Sequence, residues 1–488
     1  MRRLYQIIAI TLITTVPAVA QQPQKGDGTA ASEAFTLEQC IQYALENSYT
    51  IKNAAIDNQI ANARVKETRG IGLPQVDASI GIQHNQKLRR FFGRNTTDST
   101  EFSFFQNIPG AQDGDIVAGQ NFFQLKSGGD AGVTISQLLF NGSYLVGLQA
   151  ANAYRDLSIK KERQTKEDVV AQVTKAFYTA LVNSERIKLF DNNIGRIDSL
   201  LRTTKALLQN GFVESIDVDR IQVTLNNLKT EREKFRNLQE LSVDLLKFQM
   251  NFPMNGDLSL SGSLEEISIP ENAAEYENGW DFTKRSDYEL LMANRRLQML
   301  DLRNKYAEGM PSLVAFANLG YATQSATVSG LFKTESSGVE ENEFFGPDKW
   351  YSYSTFGVSL NIPIFSGLQR TYRVQQSRLA LSQIENSSKL LRSGIELETK
   401  SSARIFENSL KTLVSQKENM QLAENVARVT KIKYEQGVGS NLEVIDAESS
   451  LKEAQINYYN ALYDALVAKV DLDKAYGKIN AETTQENK

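Results

Sequence analysis

The chain has 488 residues, of which 23% are charged and 41% are hydrophobic, a balance that excludes a disordered or collagen-like protein. One cysteine and one histidine exclude a disulfide scaffold and a cysteine- or histidine-rich metal site. The net charge of −4 offers no basic excess, so no nucleic-acid partner is expected. Length alone suggests about three domains.

The N-terminus has the pattern of an export signal. Two arginines precede an apolar run, Leu4 to Val19, which ends at a small-residue cleavage site, Ala18-Val19-Ala20. The run is too short for a membrane-spanning helix, and no later segment is apolar over about 18 residues. We predict a signal peptide over residues 1–20 and a linker over 21–35. The exported protein is then either soluble or held in a membrane by β-strands.

The first element of the mature chain is predicted to be a helix over residues 36–70. Thr36 and Gln39 have the spacing of a capping box, in which each side chain binds the other residue's backbone N–H. Cys40 follows inside the helix and is expected to be a small apolar packing residue.

Four segments alternate apolar residues with small or polar ones, as strands with one buried face do. In the first, Val76, Ala78 and Ile80 alternate with Asp77 and Ser79. Each segment is roughly as long as a tilted strand that crosses a bilayer. Strands with one apolar and one polar face are typical of a membrane β-barrel with a water-filled interior. The predicted strands cover residues 74–86, 131–141, 311–322 and 355–366.

The longest elements are predicted helices in stretches without proline. No proline lies between Pro109 and Pro253 or after Pro363, and both stretches carry apolar residues at helical spacing. We predict long helices over 143–210 and 368–436, each about 100 Å long. Shorter helices are predicted over 217–251, 286–309 and 440–477. The summed length of helices 36–70 and 440–477 is close to that of one long helix, and so is the sum for 217–251 and 286–309. We therefore predict that the two helices of each pair stack end to end.

The strongest signal is an internal repeat. VTISQLLFNG, starting at Val133, aligns with VSLNIPIFSG, starting at Val358, and NGFVESIDV from Asn210 aligns with QGVGSNLEV from Gln436. The repeat replaces the estimate of three domains with one duplicated architecture. We predict structural repeats over 36–251 and 286–477, an equatorial segment over 252–285, and a C-terminal tail over 478–488.

These features resemble the TolC family of outer-membrane efflux proteins, also called outer membrane factors. The resemblance is carried by FTLEQCIQYALENS from Phe35, LFNG from Leu139, IPIFSG from Ile362 and YEQGVGSNLEVIDAESSL from Tyr434. It implies a mainly α protein with a membrane β-barrel. Three chains would contribute four strands each to a twelve-stranded barrel, continuous with a periplasmic α-helical coiled-coil tunnel.

The resemblance also implies a function and partners. A homotrimer in outer-membrane lipid would meet a periplasmic adaptor (membrane fusion) protein and, through it, an inner-membrane pump of the RND, ABC or MFS type. It would passively conduct substrates outward in efflux or type I secretion, with no enzymatic activity and no cofactor. The competing interpretation is an exported coiled-coil structural or adhesion protein without channel activity. That alternative explains the heptad spacing of Leu451, Ala454, Tyr458 and Ala461 in the last helix, but not the strands or the duplication.

Two helix–turn–helix turns, 210–217 and 436–443, are the predicted tips of the tunnel. Gly211, Gly437 and Gly439 are expected to supply positive φ angles in these turns. By the resemblance, Glu443 and Asp446 line a closed periplasmic entrance, where three copies of each would attract cations.

Three further residues complete the predicted gate. The resemblance implies that Tyr434 helps to tie the closed tip, while Gly439 stands where the family carries a basic residue. In the first repeat Asp217 matches Glu443, and Arg220 stands at the position of Asp446, where it is expected to pair with a tip acid. The alternative is that these acids are solvated residues in the first turn of a helix, which the helix dipole favours.

The long segments 87–130 and 323–354 connect the strands at the end away from the helices. The first is rich in Arg, Lys and Phe, and the second is acidic. We expect either that they meet over the outer mouth or that they are flexible surface loops.

Overall fold

The computed structural model describes residues 34–98, 103–120, 124–262, 264, 273–276, 280–332 and 350–479. The predicted signal peptide (1–20), most of the predicted linker, the acidic part of segment 323–354 and most of the C-terminal tail lie outside these residues. The helices are α1 (Leu37–Asn47), α2 (Tyr49–Gly70), α3 (Gly142–Gln209), α4 (Ser215–Met250), α5 (Ser286–Ala307), α6 (Gln369–Glu435) and α7 (Asn441–Ala475). The strands are β1 (Gln75–His84), β2 (Phe91–Arg94), β3 (Ile116–Gly119), β4 (Ser127–Asn141), β5 (Ser312–Ser325) and β6 (Tyr351–Asn361).

Four of the strands form one antiparallel sheet in the order β1-β4-β5-β6. These are the four predicted strands, with different bounds. The last was predicted over 355–366 but runs from Tyr351 to Asn361. It ends there because Pro363 has no N–H to donate to a strand ladder.

The register gives the sheet one apolar and one polar face. Directly paired residues of an antiparallel sheet point to the same side, so each row across the four strands shares a face. One row is apolar and contains Val76, Ile135, Ala317 and Phe356. The next row is polar and contains Asp77, Thr134, Asn318 and Thr355. In the single chain the apolar face is open to solvent, with Ile80 81% exposed.

Strands β2 and β3 form a small antiparallel sheet inside segment 87–130, which the sequence predicts only as a long connection between strands. Four-residue strands are too short to produce a readable alternation. This small sheet packs on Phe105, which is 6% exposed. A Cβ on Gly93 or Gly119 would lie 2.4 Å from the Phe105 ring, so both glycines make room for it.

The predicted capping box at the first helix is present. The Gln39 N–H donates to Thr36 Oγ1 at 3.3 Å, and the Thr36 N–H donates to Gln39 Oε1 at 2.8 Å. The prediction of one helix over 36–70 is wrong, because the helix is interrupted at Ser48, whose ψ of 126° is not helical. The break is held by Asn251, which donates from Nδ2 to the freed Asn47 carbonyl at 3.1 Å.

The two repeats place one long helix beside two short ones. Helices α3 and α6 have 68 and 67 residues, about 100 Å each. The predicted end-to-end stacking is wrong, because each short helix meets the short helix of its own repeat. Asn251 at the end of α4 contacts the α1–α2 break, and Arg285 before α5 donates to the Ala475 carbonyl at the end of α7. No described helix is both long and apolar enough to cross a membrane.

Two large apolar clusters hold the helices together. The cluster at mid-height includes Cys40, which is 0% exposed and packs among residues of α3, α4 and α7. The cluster near the tip joins Phe190 and Ile197 of α3 to Ile221 of α4 and Val444 of α7. The second cluster sets the position of the helix–turn–helix turns.

Candidate functional site

The turn between α3 and α4 closes through a left-handed glycine. Gly211 has a φ of +75°. Its N–H donates to the Leu208 carbonyl at 3.0 Å, and the Phe212 N–H donates to the Leu207 carbonyl at 3.0 Å. This pair of bonds is the Schellman motif, in which an αL residue ends a helix and satisfies its last carbonyls. The predicted positive φ of Gly211 is confirmed.

The turn between α6 and α7 repeats this geometry. Gly437 has a φ of +76°, as predicted, and donates to the Tyr434 carbonyl at 3.0 Å. The prediction for Gly439 is wrong, because its φ is not positive. Gly439 is required for close approach instead, since a Cβ there would lie 3.1 Å from the Tyr434 backbone nitrogen and 3.2 Å from Lys433 Cβ.

The two turns differ in how the following helix begins. Ser440 caps α7, accepting the Glu443 N–H on its Oγ at 3.2 Å. Glu214 occupies the corresponding cap of α4 and makes no side-chain cap bond. A serine cap stabilises a helix by about 1 kcal/mol relative to an uncapped start, so the second turn is the more firmly fixed.

The structure exposes both acids predicted to form the gate. Glu443 and Asp446 lie in the first two turns of α7 with their side chains in solvent. Among the described residues, neither carboxylate has an ion pair or a side-chain hydrogen bond. Both charges are therefore available to a ligand, an ion or a neighbouring chain.

The acid of the first repeat is partly buried and paired. Asp217 lies 3.8 Å from Arg220 Nη1. Its backbone carbonyl accepts a hydrogen bond from Nδ2 of Asn441 at 3.1 Å, which links the start of α4 to the start of α7. Asn441 is 6% exposed, so this contact is a buried polar connection between the two tip turns.

Tyr434 ties the second hairpin to the first. Its hydroxyl lies 3.1 Å from Oγ1 of Thr204 on α3, and Thr204 is 0% exposed. The ring also packs against the apolar cluster near the tip. The contact joins the last turn of α6 to α3 within one chain.

Sequence reasoning missed the ion pair between Arg196 of α3 and Glu448 of α7. Arg196 Nε donates to the two carboxylate oxygens at 3.2 and 2.9 Å. Glu448 is 7% exposed, and Asn193, 2% exposed, accepts a hydrogen bond from the same guanidinium. Glu448 and Asn193 line a cleft of about 310 Å³ between α3, α4 and α7.

A signal for Glu448 was present in the sequence. Val444 and Leu451 are apolar and lie one heptad apart on α7, and Glu448 lies four residues after Val444 and three before Leu451. Glu448 therefore lies on the same apolar face of the helix, at a position expected to be in the core. A carboxylate at a core position requires a partner, because burying an unpaired charge is strongly unfavourable.

The site as a whole is an arrangement of helix ends rather than a set of reactive groups. Buried polar contacts at Thr204, Asn441 and Glu448 hold one hairpin against the other. Glu443 and Asp446 remain exposed beside them. Among the described residues, no group of three His, Cys, Asp or Glu side chains is arranged to hold a metal ion.

Known proteins share this sequence pattern and this fold. The outer membrane efflux protein family matches residues 40–246 and 303–478, which include both long helices α3 and α6. Outer membrane protein TolC of Vibrio cholerae is 20% identical over 473 residues, covering 94% of each chain. The alkaline protease secretion protein AprF of Pseudomonas aeruginosa is 20% identical over 347 residues, covering 69% of this chain and 67% of AprF.

Solved structures agree on the architecture. The open-state MtrE outer membrane channel of Neisseria gonorrhoeae superposes with a TM-score of 0.66 at 17% identity, covering 90% of this chain and 88% of MtrE. The fold is mainly helical with a strand–helix repeat, as the sequence predicted. Because the family pattern matches well over half of the residues, the chain belongs to the outer membrane efflux protein family and is an outer-membrane channel, not an enzyme.

Proposed function

We propose that three copies of this chain close into one conduit that carries substrates from an inner-membrane pump through the periplasm and the outer membrane. The observation that carries this proposal is the four-stranded sheet with two different faces and two open edges. Within the described residues, β1 and β6 each have a strand on one side only. Unpaired strand edges are not tolerated in hydrocarbon, so the sheet must be completed by other chains.

The number of strands favours a ring of more than two chains. A barrel of about eight strands has an interior just wide enough to be filled by side chains, whereas larger barrels leave a lumen. Four strands from each of three chains give twelve. The apolar row through Val76 and Phe356 would face lipid, and the polar row through Asp77 and Thr355 would face water.

The helical part of the chain also has two lateral edges, each with exposed apolar residues. Helix α6 packs on α5 and α7 and leaves an apolar stripe in solvent: Leu379, Leu390, Leu397, Ile405, Val414 and Leu422 are all more than half exposed. At the opposite edge, α4 exposes its own apolar residues, with Leu241 65% and Phe248 71% exposed. The corresponding long helix α3 is covered by its own chain, so α6 is the helix that needs a neighbour.

These edges support a closed ring rather than a two-fold dimer. One edge of the chain is α6 with β6, and the other is α2 and α4 with β1. An interface between two different surfaces is heterologous, and it forms a ring when the rotation closes. Channels of this family form trimers and work with efflux pumps. We propose a homotrimer in which α6 of each chain packs against α2 and α4 of the next.

The tip turns are the proposed docking end. We propose that a periplasmic adaptor protein binds the turns around Gly211 and Gly437, and that an RND, ABC or MFS pump supplies the energy through that adaptor. Phe212 and Val438 hold equivalent positions in the two turns, and each is 77% exposed. Exposed apolar residues at both turns support a protein contact there.

The gate is proposed at the same end. Glu443 and Asp446 of three chains would surround the axis and favour cations. Asp217 and Arg220 would set the charge beside them, and Tyr434 would hold the second hairpin against α3 through Thr204. The exposure of both α7 acids, without partners among the described residues, supports this role.

The test is conductance of the purified protein in planar bilayers. The expected result is a cation-preferring channel that divalent cations block from the periplasmic side, with block reduced in the double variant Glu443→Gln and Asp446→Asn. The matched control, Glu453→Gln with Asp464→Asn, removes one Glu and one Asp charge from exposed positions further along α7 and should keep full block. Unchanged block in the tip variant would remove the gate assignment, and no conductance in the native protein would refute the conduit.

A further inference from the structure

One row of the sheet on its polar face contains two glycines between a serine and a tyrosine. Ser79 pairs with Gly132, Gly132 with Gly320, and Gly320 with Tyr353. The row therefore crosses β1, β4, β5 and β6 without a side chain larger than serine until Tyr353. Two strand-interior glycines in one row are unfavourable for strand stability, so the row indicates a close approach.

Tyr353 fills the space above these glycines. A Cβ on Gly132 would lie 2.9 Å from the Tyr353 hydroxyl oxygen, and a Cβ on Gly320 would lie 2.7 Å from it. The hydroxyl donates to Oδ2 of Asp130, one pair further along β4 on the same face, at 2.9 Å. The ring thus lies flat on the sheet, from β6 across β5 to β4, with its hydroxyl bound at the far end.

We propose that Gly132 and Gly320 form a trough that holds Tyr353 against the barrel wall, with Asp130 as its anchor, and so keeps the lumen open at this level. This inference rests on the proposed function, because it assumes that the polar face of the sheet lines the lumen. Tyr353, Gly132, Gly320 and Asp130 act here as positioning residues for conduction.

The width of the barrel makes the orientation of this ring important. Twelve strands lie between the eight that side chains fill and the sixteen or more that form wide aqueous channels. By threefold symmetry three tyrosines lie at one height. If the three Tyr353 rings moved off the barrel wall, they would point toward the axis and narrow the lumen. Rings that lie on the glycines leave the lumen open to water.

A second aromatic residue on the same face follows the same arrangement. Phe316 of β5 pairs with Gly357 of β6, and a Cβ on Gly357 would lie 2.6 Å from the Phe316 ring. Packing of an aromatic ring over a cross-strand glycine also stabilises sheets. A purely stabilising role predicts loss of trimer stability when Tyr353 is removed, and no dependence of conductance on the glycine.

The experiment compares single-channel conductance of four proteins that form heat-modifiable trimers. Gly132→Ala places a methyl group where the Tyr353 hydroxyl lies and should lower conductance. The control Gly81→Ala adds a methyl group to the same face where nothing lies within 4 Å, and should conduct like the native protein. In the double variant Gly132→Ala with Tyr353→Ser, no ring remains to be displaced, so conductance should return to at least the native value.

The outcomes separate this inference from the proposed function. If the native protein conducts and Gly132→Ala conducts equally, or if the double variant stays as low as Gly132→Ala, the trough has no role in conduction. If Gly132→Ala forms no trimer, the variant Tyr353→Phe tests the inference instead. It keeps the aromatic ring and removes the hydroxyl that binds Asp130. It should increase open-channel current noise, and noise equal to the native value would overturn the inference. A native protein without conductance would refute the conduit itself.

Discussion

The ion pair between Arg196 and Glu448 leads to an asymmetric prediction for the helical tip. The Glu448 side chain is 7% exposed, whereas the Arg196 side chain is 31% exposed. Removing the cation leaves a carboxylate with little access to water, whereas removing the anion leaves a guanidinium that is already partly in water. The variant Arg196→Met keeps the aliphatic packing of the arginine stem and removes its charge. It should destabilise the tip more than Glu448→Gln does.

The magnitude follows from the burial of the pair. Breaking a fully buried ion pair costs about 3–5 kcal/mol, and an exposed pair contributes about 0–1 kcal/mol. Arg196 is partly exposed and Glu448 lines the cleft, so we expect about 2 kcal/mol for Arg196→Met. Glu448→Gln keeps a hydrogen-bond acceptor and should cost about 1 kcal/mol. At 1.4 kcal/mol per factor of ten, 2 kcal/mol corresponds to a roughly 30-fold larger population of the locally opened state.

Hydrogen–deuterium exchange of the detergent-solubilised trimer measures this opening. Amides in residues 444–452 of α7 should exchange roughly 30-fold faster in Arg196→Met, while amides of the sheet stay unchanged. The control Arg202→Met breaks the pair with Asp198 on the same helix, where the side chains are 76% and 42% exposed, and should change exchange little. Equal exchange in Arg196→Met and the native protein, or a larger effect from Glu448→Gln, would contradict this reasoning.

Three further predictions concern single residues. Burial raises the pKa of the Cys40 thiol from 9.0 to about 12. At pH 8 the thiolate fraction of Cys40 is then about a thousandfold lower than that of an exposed cysteine, so maleimide should label only unfolded chains. Gly437→Ala forces an alanine into a φ of +76° and should lower the melting temperature by an amount equivalent to about 1–2 kcal/mol, while Gly195→Ala inside α3 should raise it. Burial raises the pKa of the Asp473 carboxyl above 3.8, although the hydrogen bond from the Tyr276 hydroxyl at 2.6 Å acts in the opposite direction. The protonated carboxyl therefore favours the folded state below pH 3.8, and this stabilisation is lost as the pH rises through the folded pKa. Asp473→Asn should therefore gain thermal stability relative to the native protein as the pH rises from 3.5 to 7, and a difference independent of pH would count against it.

The sequence predicted the features that depend on local periodicity. Alternation located the four long strands, and the absence of proline located α3 and α6 to within a few residues. The repeat predicted two equivalent turns, and Gly211 and Gly437 take the same φ. These features follow from interactions between residues close in the chain, so they are readable without tertiary contacts.

Features that depend on distant residues were not predicted. The break at Ser48 needs the side chain of Asn251, more than 200 residues away. The stacking of α5 on α7 depends on Arg285, which reaches Ala475, whereas helix lengths alone favoured another pairing. Gly439 was assigned a positive φ from its residue type, but its role is the space beside Tyr434 that only the folded turn defines.

The pairing of β1 of one chain with β6 of the next can be tested by disulfide cross-linking. Cys40 is fully buried, so cysteines introduced at Val76 of β1 and, one at a time, at Phe356, Val358 or Leu360 of β6 would react against a low background. Bonds form only where Cα atoms approach within about 4.4–6.8 Å, so at least one pair should cross-link in outer membranes. We predict a ladder of one, two and three chains that stops at three. Absence of cross-linking in every pair, or a ladder that extends beyond three chains, would contradict the closed trimeric barrel.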